Sequence, residues 1–281
     1  MDWTAQELDK IIRDYFDMLR AELWSTPFSK AAHRRDLLED LPSRSKGAIE
    51  FKHCNISAVL VAMRLPYVQG YQPRGNYQNL LAEKVAAYVE NSSHLMKQFD
   101  TSPILTSDPP FQADSIDFDE VIEEPPARIE GIDQLPQHVS LKRARKIDFA
   151  ERDALNRKLG ERGEAFVVEL ERHRLKEFGR DDLAKRVIWA SREVGDGLGY
   201  DILSFNEVTD TEVLVEVKST NCGKFFPFYV SSREVACSEE CPSQYQLHRV
   251  FDFGRKPRVY VLRGSLREHC RLDPVVYRAT V

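Results

Sequence analysis

No stretch of this 281-residue sequence stays apolar for the roughly 20 residues a helix needs to cross a bilayer, so a membrane-embedded function is not expected. The opening residues, Asp2-Trp3-Thr4-Ala5-Gln6-Glu7, have neither the basic nor the apolar part of a secretory leader. A cytoplasmic location is therefore expected. Cysteine is scarce and odd in number, five residues scattered from Cys54 to Cys270, which argues for reduced thiols rather than a disulfide framework. Cys222, Cys237, Cys241 and His248 do not show a recognised zinc-ligand spacing. The histidines lack a Cys or Asp partner at triad spacing, and there is no P-loop, so neither a nucleophilic hydrolase nor a nucleotide cofactor is expected. No internal repeat occurs.

What is present is globular in character, with hydrophobic content of 42% and length enough for one large domain or two small ones. The net charge of −5 is unevenly spread. Between Gln98 and Gln137 stand ten Asp or Glu and one Arg, a net of −9, so the rest of the chain carries +4. The same stretch holds Pro103, Pro109, Pro110, Pro125, Pro126 and Pro136 and has no sustained period. Residues 96–140 therefore read as an acidic, proline-rich linker, with a short docked segment near Phe118, Val121 and Ile122 left open. It separates a domain over 1–95 from one over 141–281.

The first domain reads as helical. Thr4 and Glu7 make a capping box, and Leu8, Ile11, Ile12, Tyr15, Leu19 and Leu23 then recur on one helical face. Ile56 to Arg64 reads as a short apolar helix, and Asn76 as the cap of a last helix that turns Leu81, Val85, Tyr88 and Val89 inward. Arg34, Arg35, Arg44, Lys46, Lys52 and Arg74 would suit a small DNA-binding module, or form only a solvated basic face. After the linker, the basic run Lys142, Arg143, Arg145 and Lys146 is either a phosphate contact or plain surface. The spacing then predicts a long helix from Phe149 to Phe178. Strands follow at Val187–Ser191, Tyr200–Asn206 and Val213–Ser219, then a helix capped by Ser232, then strands at Tyr245–Phe253 and Val259–Arg263. The fold class expected is α+β or α/β, with a mixed sheet.

In Leu214-Val215-Glu216-Val217-Lys218 strand alternation sends Glu216 and Lys218 to one face and the valines to the other. If the preceding strand forms a hairpin with this one, Asp201 lies beside Glu216. Two close carboxylates raise each other's pKa, and a hard divalent cation relieves the repulsion. Such an ion polarises a phosphate oxygen and activates water, while a lysine beside it offsets developing charge. The spacing fits phosphodiester hydrolysis, and it also fits a solvated strand face. On the long helix Glu164 shares a face with Val167 and Val168, where a carboxylate needs a metal or a salt-bridge partner.

Six ordered motifs make the comparison specific: Lys146-Ile147-Asp148, Leu159 to Glu164, Gly199-Tyr200-Asp201-Ile202-Leu203-Ser204, Glu216-Val217-Lys218-Ser219-Thr220, Ser232 to Val235, and Tyr245 to Val250. With them the stretch from about Arg145 to Ala279 resembles the Protein NO VEIN C-terminal domain, of the PD-(D/E)XK nuclease-like superfamily. The resemblance implies a restriction-endonuclease-like mixed sheet flanked by helices. It places Asp201, Glu216 and Lys218 at the catalytic positions and makes Glu164 an accessory carboxylate, with Mg2+ or Mn2+ as cofactor. Tyr200 stands where the namesake motif has Pro. Glu234 matches the family pattern without an assigned role. In the first half, Ile49 to Ser57, Gly70 to Pro73 and Asn76-Tyr77-Gln78 resemble a helical domain found ahead of nuclease-type domains in bacterial proteins.

Two functions are expected from these readings. One is a metal-dependent DNA endonuclease serving bacterial restriction or phage defence, with a homodimer implied where both strands are cut. The other is a non-catalytic nucleic-acid-binding or scaffolding module on the same fold.

Overall fold

The computed structural model describes residues 2–63, 65–92, 118–127, 149–195 and 197–273. These fall into two compact units. The first takes in the N-terminal residues through 92 together with Cys222–Pro227, and the second takes in 118–127, 150–221 and 228–273. No helix among the described residues is long and apolar enough to cross a membrane.

The first unit is built on four helices, α1 (Ala5–Leu23), α2 (Lys30–Asp40), α3 (Lys46–Ala62) and α4 (Asn79–Asn91). The capping box of α1 forms: Glu7 N–H donates to Thr4 Oγ1 at 3.3 Å, and Thr4 N–H to Glu7 Oε2 at 2.8 Å. Its apolar stripe is buried as its period requires. Three details differ from the sequence reading. The helix expected from Ile56 begins at Lys46, capped by the Ser45 hydroxyl. Its first turns escape a hydrophobic pattern because Lys52, His53 and Asn55 are themselves buried. α2 buries only Leu37 and so has no stripe to read. Asn76 takes a left-handed backbone (φ 60°) and is not a cap; Gln78 holds that position with no side-chain capping bond, its amide being engaged with the Trp3 backbone. The core also contains Cys222 and Phe226. Gly223 N–H donates to the Leu23 carbonyl at 2.8 Å.

The second unit is α+β. It comprises α5 (Phe149–Glu177), β1 (Ile188–Trp189), β2 (Ile202–Phe205), β3 (Glu212–Ser219), α6 (Ser232–Glu240), β4 (Tyr245–Phe251) and β5 (Arg258–Arg263). One-turn helices stand at Asp181–Ala184, Ala190–Glu193 and Leu266–His269. The strands order as β1-β2-β3-β4-β5, and the sheet is mixed: β3 and β4 are parallel, every other neighbour antiparallel. The strand expected over Val187–Ser191 is shorter because the chain turns helical at Ala190. The helix expected from a Ser232 cap is capped by Ser231 instead, in a box with Glu234.

Alternation sorts the sheet into two faces. Ile202, Val213, Val215, Val217 and Val250 pack with Phe166, Val167 and Leu170 of α5. Tyr245, Leu247, Tyr260 and Leu262 pack with Cys237 of α6. α5 reaches the end of β3 through Gly163, where an added Cβ would lie 1.7 Å from Ser219 Oγ. From the acidic stretch, Val121 and Glu123 exchange backbone bonds with Val259 of β5, and the Phe118 ring lies 5.6 Å from that of Phe166. A docked segment is thus present at the place the sequence left open; the rest of the 96–140 linker lies outside the described residues.

Candidate active site

Asp201 is set by the loop before it. Gly195, Gly197 and Gly199 all have positive φ, and Gly199 (φ 93°) also lies so close to α6 that a Cβ would stand 2.7 Å from Cys237 Cβ. The chain leaves this turn directly onto the edge of β2. Asp201 N–H donates to the Val215 carbonyl at 2.9 Å, and its carboxylate Oδ2 accepts the Val217 N–H at 2.8 Å. The hairpin closes at Asn206, whose side-chain oxygen accepts the Val208 and Thr209 amides. Its register pairs Ile202 with Val215. Asp201, one residue before Ile202, therefore stands across from Glu216, on the face that α6 covers.

On that face Glu216 is 3% exposed. Lys218 follows two residues later, with its Nζ 2.6 Å from Glu216 Oε1 and 3.0 Å from Glu234 Oε2 on α6. Burial pushes the Glu216 carboxyl well above its usual range; Lys218 pulls it down, and Asp201 and Glu234 push it further up. Asp201 is raised to about 7, chiefly by burial and then by the charge of Glu164. Lys218 is raised despite its burial, because Glu216 and Glu234 hold the proton on. Asp201, Glu216 and Lys218 are thus brought together. Glu164 joins them electrostatically, and its Oε2 accepts from Trp189 Nε1 at 2.6 Å and from the Ser191 hydroxyl. Among the described residues a salt bridge is not what anchors it.

Residues 163–262 match the family model for the C-terminal part of Protein NO VEIN. The match covers roughly a third of the chain and takes in Glu164, Asp201, Glu216, Lys218 and Glu234. No curated protein and no solved structure matches the chain.

Within the matched segment, two further residues belong to the site. Glu234 has two tasks, capping α6 through the Ser231 N–H at 3.1 Å and pairing with Lys218. Tyr245 is 1% exposed, and its hydroxyl has no hydrogen-bond partner among the described residues. Burial, and then the charges of Glu216 and Glu234, raise its pKa. From the resemblance Glu234 is a family position without a role, since its partner lies on another element.

Among the described residues, no group of three or more His, Cys, Asp or Glu is arranged to hold a metal. Two buried carboxyls remain that could hold a divalent ion, Asp201 and Glu216, both raised chiefly by burial. Their hard oxygens, beside an orphaned phenol, suit magnesium, which commonly takes one or two protein carboxylates and keeps its waters.

Lys142, Arg143, Arg145 and Lys146 lie outside the described residues. In the first unit Arg44 is bidentate on Glu7 (2.7 Å to each oxygen), Arg34 pairs with Glu50, and Lys52 is buried over the Trp3 ring. Those three cations tie elements of the first unit to one another. Arg74 lies against the half-exposed Phe51 ring, 6.0 Å from its centroid.

Proposed function

We propose that the second unit is a magnesium- or manganese-dependent nuclease of the PD-(D/E)XK type, hydrolysing phosphodiester bonds in DNA. The observation that carries this reading is the convergence of Asp201, Glu216 and Lys218 on one buried face, with both carboxyls held above their ordinary range. Asp201 and Glu216 would hold the ion, and Glu164 would add negative charge beside Asp201. A divalent ion bound there supplies Lewis-acid polarisation of phosphate and a lowered pKa for water. The Asp201 carboxylate is already oriented by the Val217 amide, so ion binding costs little reorganisation. Lys218 would donate a hydrogen bond toward the attacking water and offset charge on the pentavalent phosphorus. The family match over this segment supports the reading, and the helical first unit would select the target.

One observation favours a non-catalytic module instead. The Lys218 ammonium sits directly on Glu216, on an oxygen a metal would need. Incubating the purified chain with plasmid, phage and cytosine-modified DNA, with and without magnesium or manganese, separates the two. Metal-dependent cutting that Lys218→Ala reduces by about a hundredfold or more is expected, the scale of losing one transition-state donor. Cutting by Lys218→Ala equal to wild type, or none under any condition, sinks the enzymatic reading. Restriction or phage defence would show as a preference among these DNAs, and a homodimer as cutting of both strands at one place.

A further inference from the structure

One ammonium bridges two carboxylates of unequal exposure. Lys218 Nζ is 2.6 Å from Glu216 Oε1 and 3.0 Å from Glu234 Oε2, and the Glu216 side chain is 4% exposed against 16% for Glu234. We propose that Lys218 is a built-in occupant of the cation position and Glu234 its second berth, so that the amine leaves Glu216 for Glu234 when a divalent ion arrives. The identity of that ion rests on the nuclease reading; the exchange itself rests on the two distances.

Both cations cannot sit in contact with Glu216 without repelling each other at close range. The amine has somewhere to go. Glu234 is held in the first turn of α6 by its bond from the Ser231 N–H at 3.1 Å, so it waits as a fixed acceptor. The move takes the ammonium toward the more exposed partner, which lowers its desolvation penalty. It also keeps the amine beside Asp201, whose charge reaches Lys218. Glu234 is thereby a positioning residue acting through Lys218. The arrangement keeps Glu216 from standing uncompensated before the ion binds.

Titration calorimetry of magnesium into the metal-stripped full chain tests this, with thermal melting as the control for folding. Lys218→Met removes the competitor and is expected to bind magnesium on the order of tenfold more tightly than wild type. Glu234→Gln removes the second berth and is expected to bind several-fold more weakly. Its melting temperature should hold, because Gln at this position keeps the capping box. Should Lys218→Met not fold, Lys218→Gln keeps a donor on Glu216 and carries the same expectation. Binding by Lys218→Met no tighter than wild type, or by Glu234→Gln equal to wild type, overturns the exchange. So does an absence of binding in all three proteins. Absent cutting with the affinity order intact would sink the nuclease reading and leave the exchange standing. Metal-dependent cutting with the affinities unchanged would do the reverse.

Discussion

At Asp201 the folded and unfolded chains disagree about a proton. The folded carboxyl titrates at about 7 against an ordinary 3.8, because burial and the Glu164 charge penalise its ionised form. Between those values the folded state binds more protons than the unfolded one. Raising pH through that window therefore costs stability, by up to a few kcal/mol when no cation is bound. Asp201→Asn keeps an oxygen for the Val217 amide and removes the penalty. In chelator the Asn variant is expected to melt higher than wild type at pH 8 and to lose that advantage near pH 4. A melting difference that does not change with pH would contradict the assignment. Three of the site residues were legible at this scale: alternation alone sets Glu216 beside Lys218, and a hairpin adds Asp201. Glu234 and Tyr245 were not, because each reaches the site across elements that no local period connects.

The elements are read best where one face is apolar and worst where the core is polar. α1 announces itself by its capping box and stripe. α3 hides its first turns behind buried Lys52, His53 and Asn55. The Ser57 hydroxyl bonds Tyr15 at 2.7 Å, and the His53 and Tyr71 rings lie 4.6 Å apart. Composition cannot distinguish such residues from surface. In the turn before β2 the glycines are not equivalent. Gly197 and Gly199 share a positive φ, yet an added Cβ at Gly197 meets nothing within 4 Å, while at Gly199 it meets Cys237 and the Arg233 carbonyl. Gly197→Ala is expected to cost about 1 kcal/mol from backbone strain alone, and Gly199→Ala roughly 2–4 kcal/mol once overpacking is added. Chemical denaturation of both variants checks the order. Equal losses would mean that α6 gives way at Cys237. A displaced α6 would carry Glu234 with it, and in that case Gly199→Ala would also weaken the Glu234–Lys218 pair.

Across the whole molecule, the acidic stretch gives the sequence its visible division, while chain order hides one arrangement. Cys222 and Phe226 lie in the core of the first unit, and Gly223 bonds Leu23 there. Nothing in Cys222–Pro227 has a period that would assign it to either half. Phe226→Ala is expected to destabilise the first unit by about 3 kcal/mol. Amide exchange should then quicken along α1, far away in sequence. Unchanged exchange at Ile11 and Ile12 would show that the segment is not part of that core. The site depends on a different feature of the whole fold, the parallel pairing of β3 with β4 through α6, which lays Glu234 over Lys218. The claim beneath the functional reading is that Asp201 and Glu216 together hold one divalent ion. Anomalous scattering from crystals soaked in manganese tests it most directly. The expected result is a single peak about 2.1 Å from a carboxylate oxygen of each residue, with Lys218 moved onto Glu234. Manganese bound elsewhere, or none with Lys218 still resting on Glu216, would contradict it.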